Sequence, residues 1–173
     1  MRDVGVGCGS TGIEIVSSGE VGKFLGLSGG VRLTVIFTTA RFTLPTLELA
    51  ARLSNDLVPA VQIIVPRPVP YCLPLKASRE IAPLVPPEIL EFLETSELDA
   101  YILVVLGRTR YAGVLRSLQP RSTVLIGGRR RWYLTREEWL ERQCRQQGHE
   151  VIFVDADSGW RRNQNFAPFT DAG

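Results

Sequence analysis

The chain has 173 residues, of which 45% are hydrophobic and 22% charged, and a formal net charge of +2. That is one domain of ordinary globular composition, long enough for a sizeable core. It excludes a membrane-spanning chain, since no apolar run approaches the ~20 residues a bilayer requires, and its charge is too small to argue for nucleic acid, which is not the expected partner.

Residues 1–30 are glycine-rich, and their apolar residues keep no sustained period. They read as a loose leader with one short strand around residues 13–16. "MRDVGVGCGSTG" has no continuous apolar stretch, so no signal peptide is expected. Order begins with "RLTVIFTT" (residues 32–39), a β-branched run suited to a buried parallel strand. "TLPTLELAARLSND" then reads as a helix: Thr43 is the expected N-cap, Pro45 suits a first turn, and Leu47, Ala50, Ala51 and Leu53 form a stripe. "AVQIIVP" is the second strand. "PRPVPYCLPLKAS" is too rich in proline for regular structure and reads as an extended loop.

"PPEILEFLETSEL" is the second helix and "AYILVVLG" the third strand. "RTRYAGVLRSLQP" holds a short helix ended by Pro120, and "STVLIGG" is the fourth strand. In "LTREEWLERQCRQQGHE", Thr135 and Glu138 make a capping box, and Gly148 sits where a C-cap glycine belongs. "VIFVDAD" is the fifth strand, and residues 157–173 form a polar tail. Strands alternating with helices over residues 31–156 predict an α/β domain: an open, doubly wound, parallel sheet of about five strands with helices on both faces. Ligands of such sheets bind beyond the carboxyl ends of the strands, where strand order reverses.

Several motifs fail on context. Gly7, Gly9 and Gly12 match GxGxxG without the strand before and the helix after that a dinucleotide site needs. "SGG" at residues 28–30 precedes its strand instead of following it. The cysteines, Cys8, Cys72 and Cys144, are odd in number and form no CxxC pair. With His149 as the only histidine, this argues against a disulfide framework and a zinc site and fits a reducing cytoplasm. His149 follows the C-cap glycine, where a positive charge would meet the helix dipole. No GxSxG elbow exists, and a catalytic role is not expected. Asp155 and Asp157 could bind Mg²⁺ or be solvated.

The strand ends carry more. Thr38, Thr39, Arg41 and Thr43 follow the first strand, where hydroxyls and a helix N-terminus can hold an anion or merely cap the helix. Arg108 and Arg110 follow the third strand. Gly127 and Gly128 end the fourth and permit close backbone approach or a positive φ. Arg129, Arg130 and Arg131 then offer planar forks for phosphate or carboxylate, or form a solvated charge run. With Arg67 these arginines make a basic rim on the expected carboxyl edge. Trp132 and Tyr133 could stack on a base or pack against the sheet, and Tyr71 is another candidate aromatic wall.

"LTVIFTTARFTLPTLELAARLSNDLVPAVQIIVPRPVPY", "DAYILVVLG", "STVLIGGRRRWYLTREEW" and "GHEVIFVD" together resemble the universal stress protein family, within the adenine-nucleotide α-hydrolase-like folds. The likeness lies in strand order and element lengths more than in identities. It implies a five-stranded parallel sheet in the order 3-2-1-4-5, frequent dimers and, in one branch, ATP held over strands one and four. That branch carries Gly-x2-Gly-x9-Gly-Ser/Thr after strand four. Here Gly127 takes the first position, Arg130 stands at the second, and no Gly-Ser or Gly-Thr follows. Thr38 or Thr39 replaces the acid usual at the end of strand one. An ATP site is therefore either lost or rebuilt with arginine side chains. Receiver domains need acids where this chain has "TT" and "GR", and flavodoxins need a glycine that "TTARFT" lacks.

The expected function is non-catalytic binding of a phosphate-bearing small molecule, ATP or another nucleotide, by Thr38, Thr39, Arg41, Arg108, Gly127, Gly128, Arg129 and Arg130. The alternative is a ligand-free homodimeric module whose basic loop meets an acidic protein or nucleic acid. A nucleotidyl-transfer enzyme is a third reading, and the missing signature motifs count against it.

Overall fold

Short runs of Val, Ile and Leu can bury both faces only where helices cover a sheet on both sides. In the computed structural model, which describes residues 12–17, 33–57, 61–74, 85–96, 98, 100–111 and 113–155, these runs do so. The elements are β1 (Gly12–Ser17), β2 (Leu33–Ile36), α1 (Ala40–Leu57), β3 (Val61–Pro68), α2 (Pro87–Ser96), β4 (Ala100–Gly107), α3 (Val114–Ser117), β5 (Thr123–Gly128), α4 (Arg136–Gln146) and β6 (Glu150–Asp155).

The sheet runs β1-β4-β3-β2-β5-β6, and every neighbouring pair is parallel. The five strands from Leu33 onward take the expected order 3-2-1-4-5, a Rossmann-like α/β sheet with interleaved helices. β1 adds a sixth strand at the edge, in register with β4 from Gly12↔Tyr101 to Ser17↔Leu106. The rest of the leader and residues 156–173, with Cys8 and Asp157, lie outside the described residues.

Alternating side chains feed two apolar layers. Val35, Ile63, Val65, Ile102, Val104 and Leu125 pack with Leu47 and Ala50 of α1 and Ile89 and Leu93 of α2. Ile36, Ile64, Leu103, Val105, Val124 and Ile126 pack with Val114 and Leu118 at α3 and Leu140 and Cys144 of α4. Among the described residues no helix is long and apolar enough to cross a membrane.

One helix end differs from expectation. α1 begins at Ala40, so Thr43 lies inside it and is not its N-cap. The Thr39 carbonyl instead accepts from the Phe42 and Thr43 N–H groups at 3.1 and 2.8 Å. Pro45 falls beyond the first turn and supplies no N–H to the Arg41 carbonyl. At α4 local signals prevail. Thr135 and Glu138 form the reciprocal capping box. Gly148 has φ +83°, and the His149 and Gly148 N–H groups close the helix on the Cys144 and Arg145 carbonyls.

β2 and β5 lie side by side, Leu33↔Thr123 to Ile36↔Ile126. From β2 the chain continues through α1 to β3 on one side, and from β5 through α4 to β6 on the other. The strand order therefore reverses between them.

Candidate functional site

At that reversal lies a groove of about 520 Å³. Arg41 and Phe42 line it from the start of α1. Arg129, Arg131, Tyr133, Leu134 and Thr135 come from the β5–α4 loop, and Arg136 and Glu137 from the first turn of α4. Both helices begin here, so the positive ends of two dipoles meet at one place. No acidic residue occupies the first turn of α1, whereas Glu137 and Glu138 occupy that of α4. The loop is tied down by the capping box, with the Glu138 carboxylate accepting from the Thr135 N–H at 2.9 Å.

Of the residues expected to hold a ligand, Arg41 and Arg129 line the groove. Thr38 lies beneath it, fully buried. Its hydroxyl donates to the Gly127 carbonyl at 2.7 Å, and its N–H donates to the Thr43 hydroxyl at 3.2 Å. Thr39 is exposed and contributes its carbonyl to the start of α1. Gly127 and Gly128 are buried, and neither has a positive φ. The close approach they permit is to their own chain. A Cβ on Gly127 would lie 2.1 Å from the Phe42 carbonyl oxygen, and one on Gly128 would lie 2.7 Å from the Phe153 ring and 2.8 Å from the Glu137 side chain.

Three other arginines of the basic rim divide by partner. Arg108 donates to the Pro70 and Leu73 carbonyls at 2.6 and 2.9 Å and lies over the Tyr71 ring, so it fastens the loop after β3. Arg110 donates to the Thr38 carbonyl. Arg130 turns back onto α4, with a guanidinium nitrogen 3.4 Å from each Glu141 carboxylate oxygen and its charge 4.5 Å from the Phe153 ring centroid. Arg145 holds Glu141 from the other side at 3.0 Å. Arg136, which in sequence lies simply within a helix, joins the groove because the capping box starts α4 there.

Tyr111 sits behind this wall. Its hydroxyl is buried without a hydrogen-bond partner among the described residues. Burial raises its pKa above the usual 10.0, and the Glu137 charge adds to the rise against Arg110 and Arg136. At neutral pH it is therefore an uncharged donor.

His149 is remote from the groove, at the amino-terminal side of the sheet. Its Nδ1 lies 3.1 Å from the buried Ser122 hydroxyl, and burial lowers its pKa below 6.5. The ring is neutral at pH 7, not the positive helix partner expected. Ser122 and His149 are both buried, so their contact joins the starts of β5 and β6. Among the described residues no three His, Cys, Asp or Glu gather to hold a metal ion.

Comparison with protein-family models, with curated proteins and with solved structures returns no match.

Proposed function

We propose that this chain is a non-catalytic binding domain, akin in architecture to the universal stress proteins, that holds a phosphate-bearing ligand such as a nucleotide in the groove at the strand-order reversal. The observation that carries this reading is the convergence of Arg41, Arg129, Arg131 and Arg136 on one groove with, among the described residues, a single acid, Glu137. Planar guanidinium forks match phosphate oxygens, and two helix N-termini favour the same charge. The groove's volume is that of small-molecule sites. The ligand set differs from the sequence expectation in a physical way. Gly127, Gly128 and Arg130 are engaged in packing and ion pairs, so Arg131 and Arg136 take the place assigned to them.

The test is a thermal melt with ATP, ADP, FMN, NAD and inorganic phosphate. A ligand at about a hundred times its Kd adds roughly 2.7 kcal/mol, which raises Tm by about 5 to 10 °C. The shift should vanish in Arg131→Ala and persist in Arg130→Ala. No shift with any of the five compounds would sink the reading.

A further inference from the structure

An exposed tryptophan leaves unused the stabilisation that its burial would bring. Trp132 is 96% exposed, and Tyr133, Leu134 and Trp139 are between 43% and 50% exposed. A single such residue is ordinary, but a cluster on one short stretch marks a binding surface. This cluster is interleaved with exposed Arg129, Arg130, Arg131 and Arg136. Such a charge pattern disfavours an apolar protein face. It complements a polyanion whose units carry flat apolar faces.

The geometry orders these groups outward from the groove. Arg131 lies 5.7 Å from the centre of the Tyr133 ring, and Tyr133 lines the groove. Trp132 meets Tyr133 edge-on at 5.4 Å, so it stands one ring further out. Tyr133 is thus the ring nearest a phosphate held among the arginines, and Trp132 offers a face beyond it for a second base. A second aromatic–arginine pair lies on the same carboxyl edge, where Arg108 stacks 5.3 Å from the centre of Tyr71, itself 82% exposed. At ~4.8 Å per strand, the ends of β4, β3, β2 and β5 span about 14 Å of that edge. Stacking rings along a basic track are the means by which single strands are held without base-specific hydrogen bonds. The small net charge is no obstacle, because the local charge faces the strand.

We infer that the groove and its aromatic rim bind single-stranded nucleic acid, with phosphates among Arg41, Arg129 and Arg131 and successive bases on Tyr133 and Trp132. This rests on reading the groove as a phosphate site.

The experiment is fluorescence anisotropy with labelled decauridylate and decathymidylate on the full chain, Trp132→Ala, Tyr71→Ala and Arg131→Ala. Unlabelled duplex and polyglutamate serve as competitors, and UMP and inorganic phosphate are followed by thermal melt. Trp132→Ala should weaken the oligomers about 5- to 150-fold while leaving the UMP and phosphate shifts and the unliganded Tm unchanged. Arg131→Ala should weaken every ligand and flatten the salt dependence. Tyr71→Ala should weaken the oligomers alone. Either oligomer behaving so supports the inference. Unchanged oligomer affinity in Trp132→Ala overturns it, as does equal competition by duplex or polyglutamate. If UMP or phosphate still stabilises the protein in those cases, the phosphate site stands alone. If none of these ligands binds, the inference falls, and the phosphate reading falls with it when ATP, ADP, FMN and NAD also leave Tm unmoved.

Discussion

The Thr38 hydroxyl and the Gly127 carbonyl, 89 residues apart in sequence, meet at 2.7 Å where β2 and β5 end. The ladder between these strands stops at Ile36↔Ile126, and this bond continues it by one step. Thr38 also donates its N–H to Thr43 and accepts from Arg110 at its carbonyl, so one residue joins β2, α1, β5 and the loop after β4. Thr38→Val keeps the shape and loses the hydroxyl. It should cost about 1 to 2 kcal/mol in urea unfolding, and Thr38→Ser should restore most of that.

Gly127→Ala tests whether that glycine serves packing. The new Cβ would collide with the Phe42 carbonyl and the Thr46 hydroxyl, 2.1 and 2.5 Å away. α1 must move off the sheet, at a cost of about 3 kcal/mol. A lowered urea midpoint without any ligand present is the expected result. An unchanged midpoint would mean that the backbone contact is not fixed.

Arg130→Ala separates the central arginine from its neighbours. Its side chain is about half exposed, and Glu141 keeps Arg145 when it is gone. The loss should be at most about 1 kcal/mol, combining a screened ion pair and the contact with Phe153. The melt shift with a groove ligand should survive, unlike that of Arg131→Ala.

His149 makes stability depend on pH. Burial holds its folded pKa below 6.5, so the unfolded chain takes up a proton that the folded chain resists. The contribution is complete above pH 6.5 and is lost as pH falls through the lowered folded value. Tm should therefore decline from pH 7.5 to 5, and His149→Gln should show a shallower decline over that interval.

Thiol labelling distinguishes two cysteines. Burial pushes the Cys144 thiol up to about 12, and its side chain lies in the core beside Leu140. Cys72 is exposed. Iodoacetamide at pH 8 should modify Cys72 in the native protein and Cys144 only after unfolding, as read by peptide mass spectrometry. Native labelling of Cys144 would mean that α4 opens readily.

Elements that depend on a few adjacent residues were readable from the chain. The run "AYILVVLG" is β4 in full, Thr135 and Glu138 form their capping box, and Gly148 closes α4 with a positive φ. The order of the five principal strands agrees with the resemblance, and the carboxyl edge does gather arginines. The reading of Thr43 as a cap failed because a threonine inside the first turns looks the same in sequence as one before them. Its hydroxyl faces Thr38, which only the turn after β2 reveals.

The sequence by itself determined the α/β alternation, the caps of α4 and the supply of arginines beyond the strand ends, since hydrophobic period and capping act over a few neighbouring residues. Only the tertiary structure decided which arginines face the groove. Arg108 and Arg110 were drawn to carbonyls of the loop after β3 and of Thr38, and Arg130 to Glu141. Arg41, Arg129, Arg131 and Arg136 were brought together by the adjacency of β2 and β5. A guanidinium is directed by acceptors within a few ångströms, and a strand pairing between residues 90 apart, Leu33 and Thr123, sets which acceptors those are.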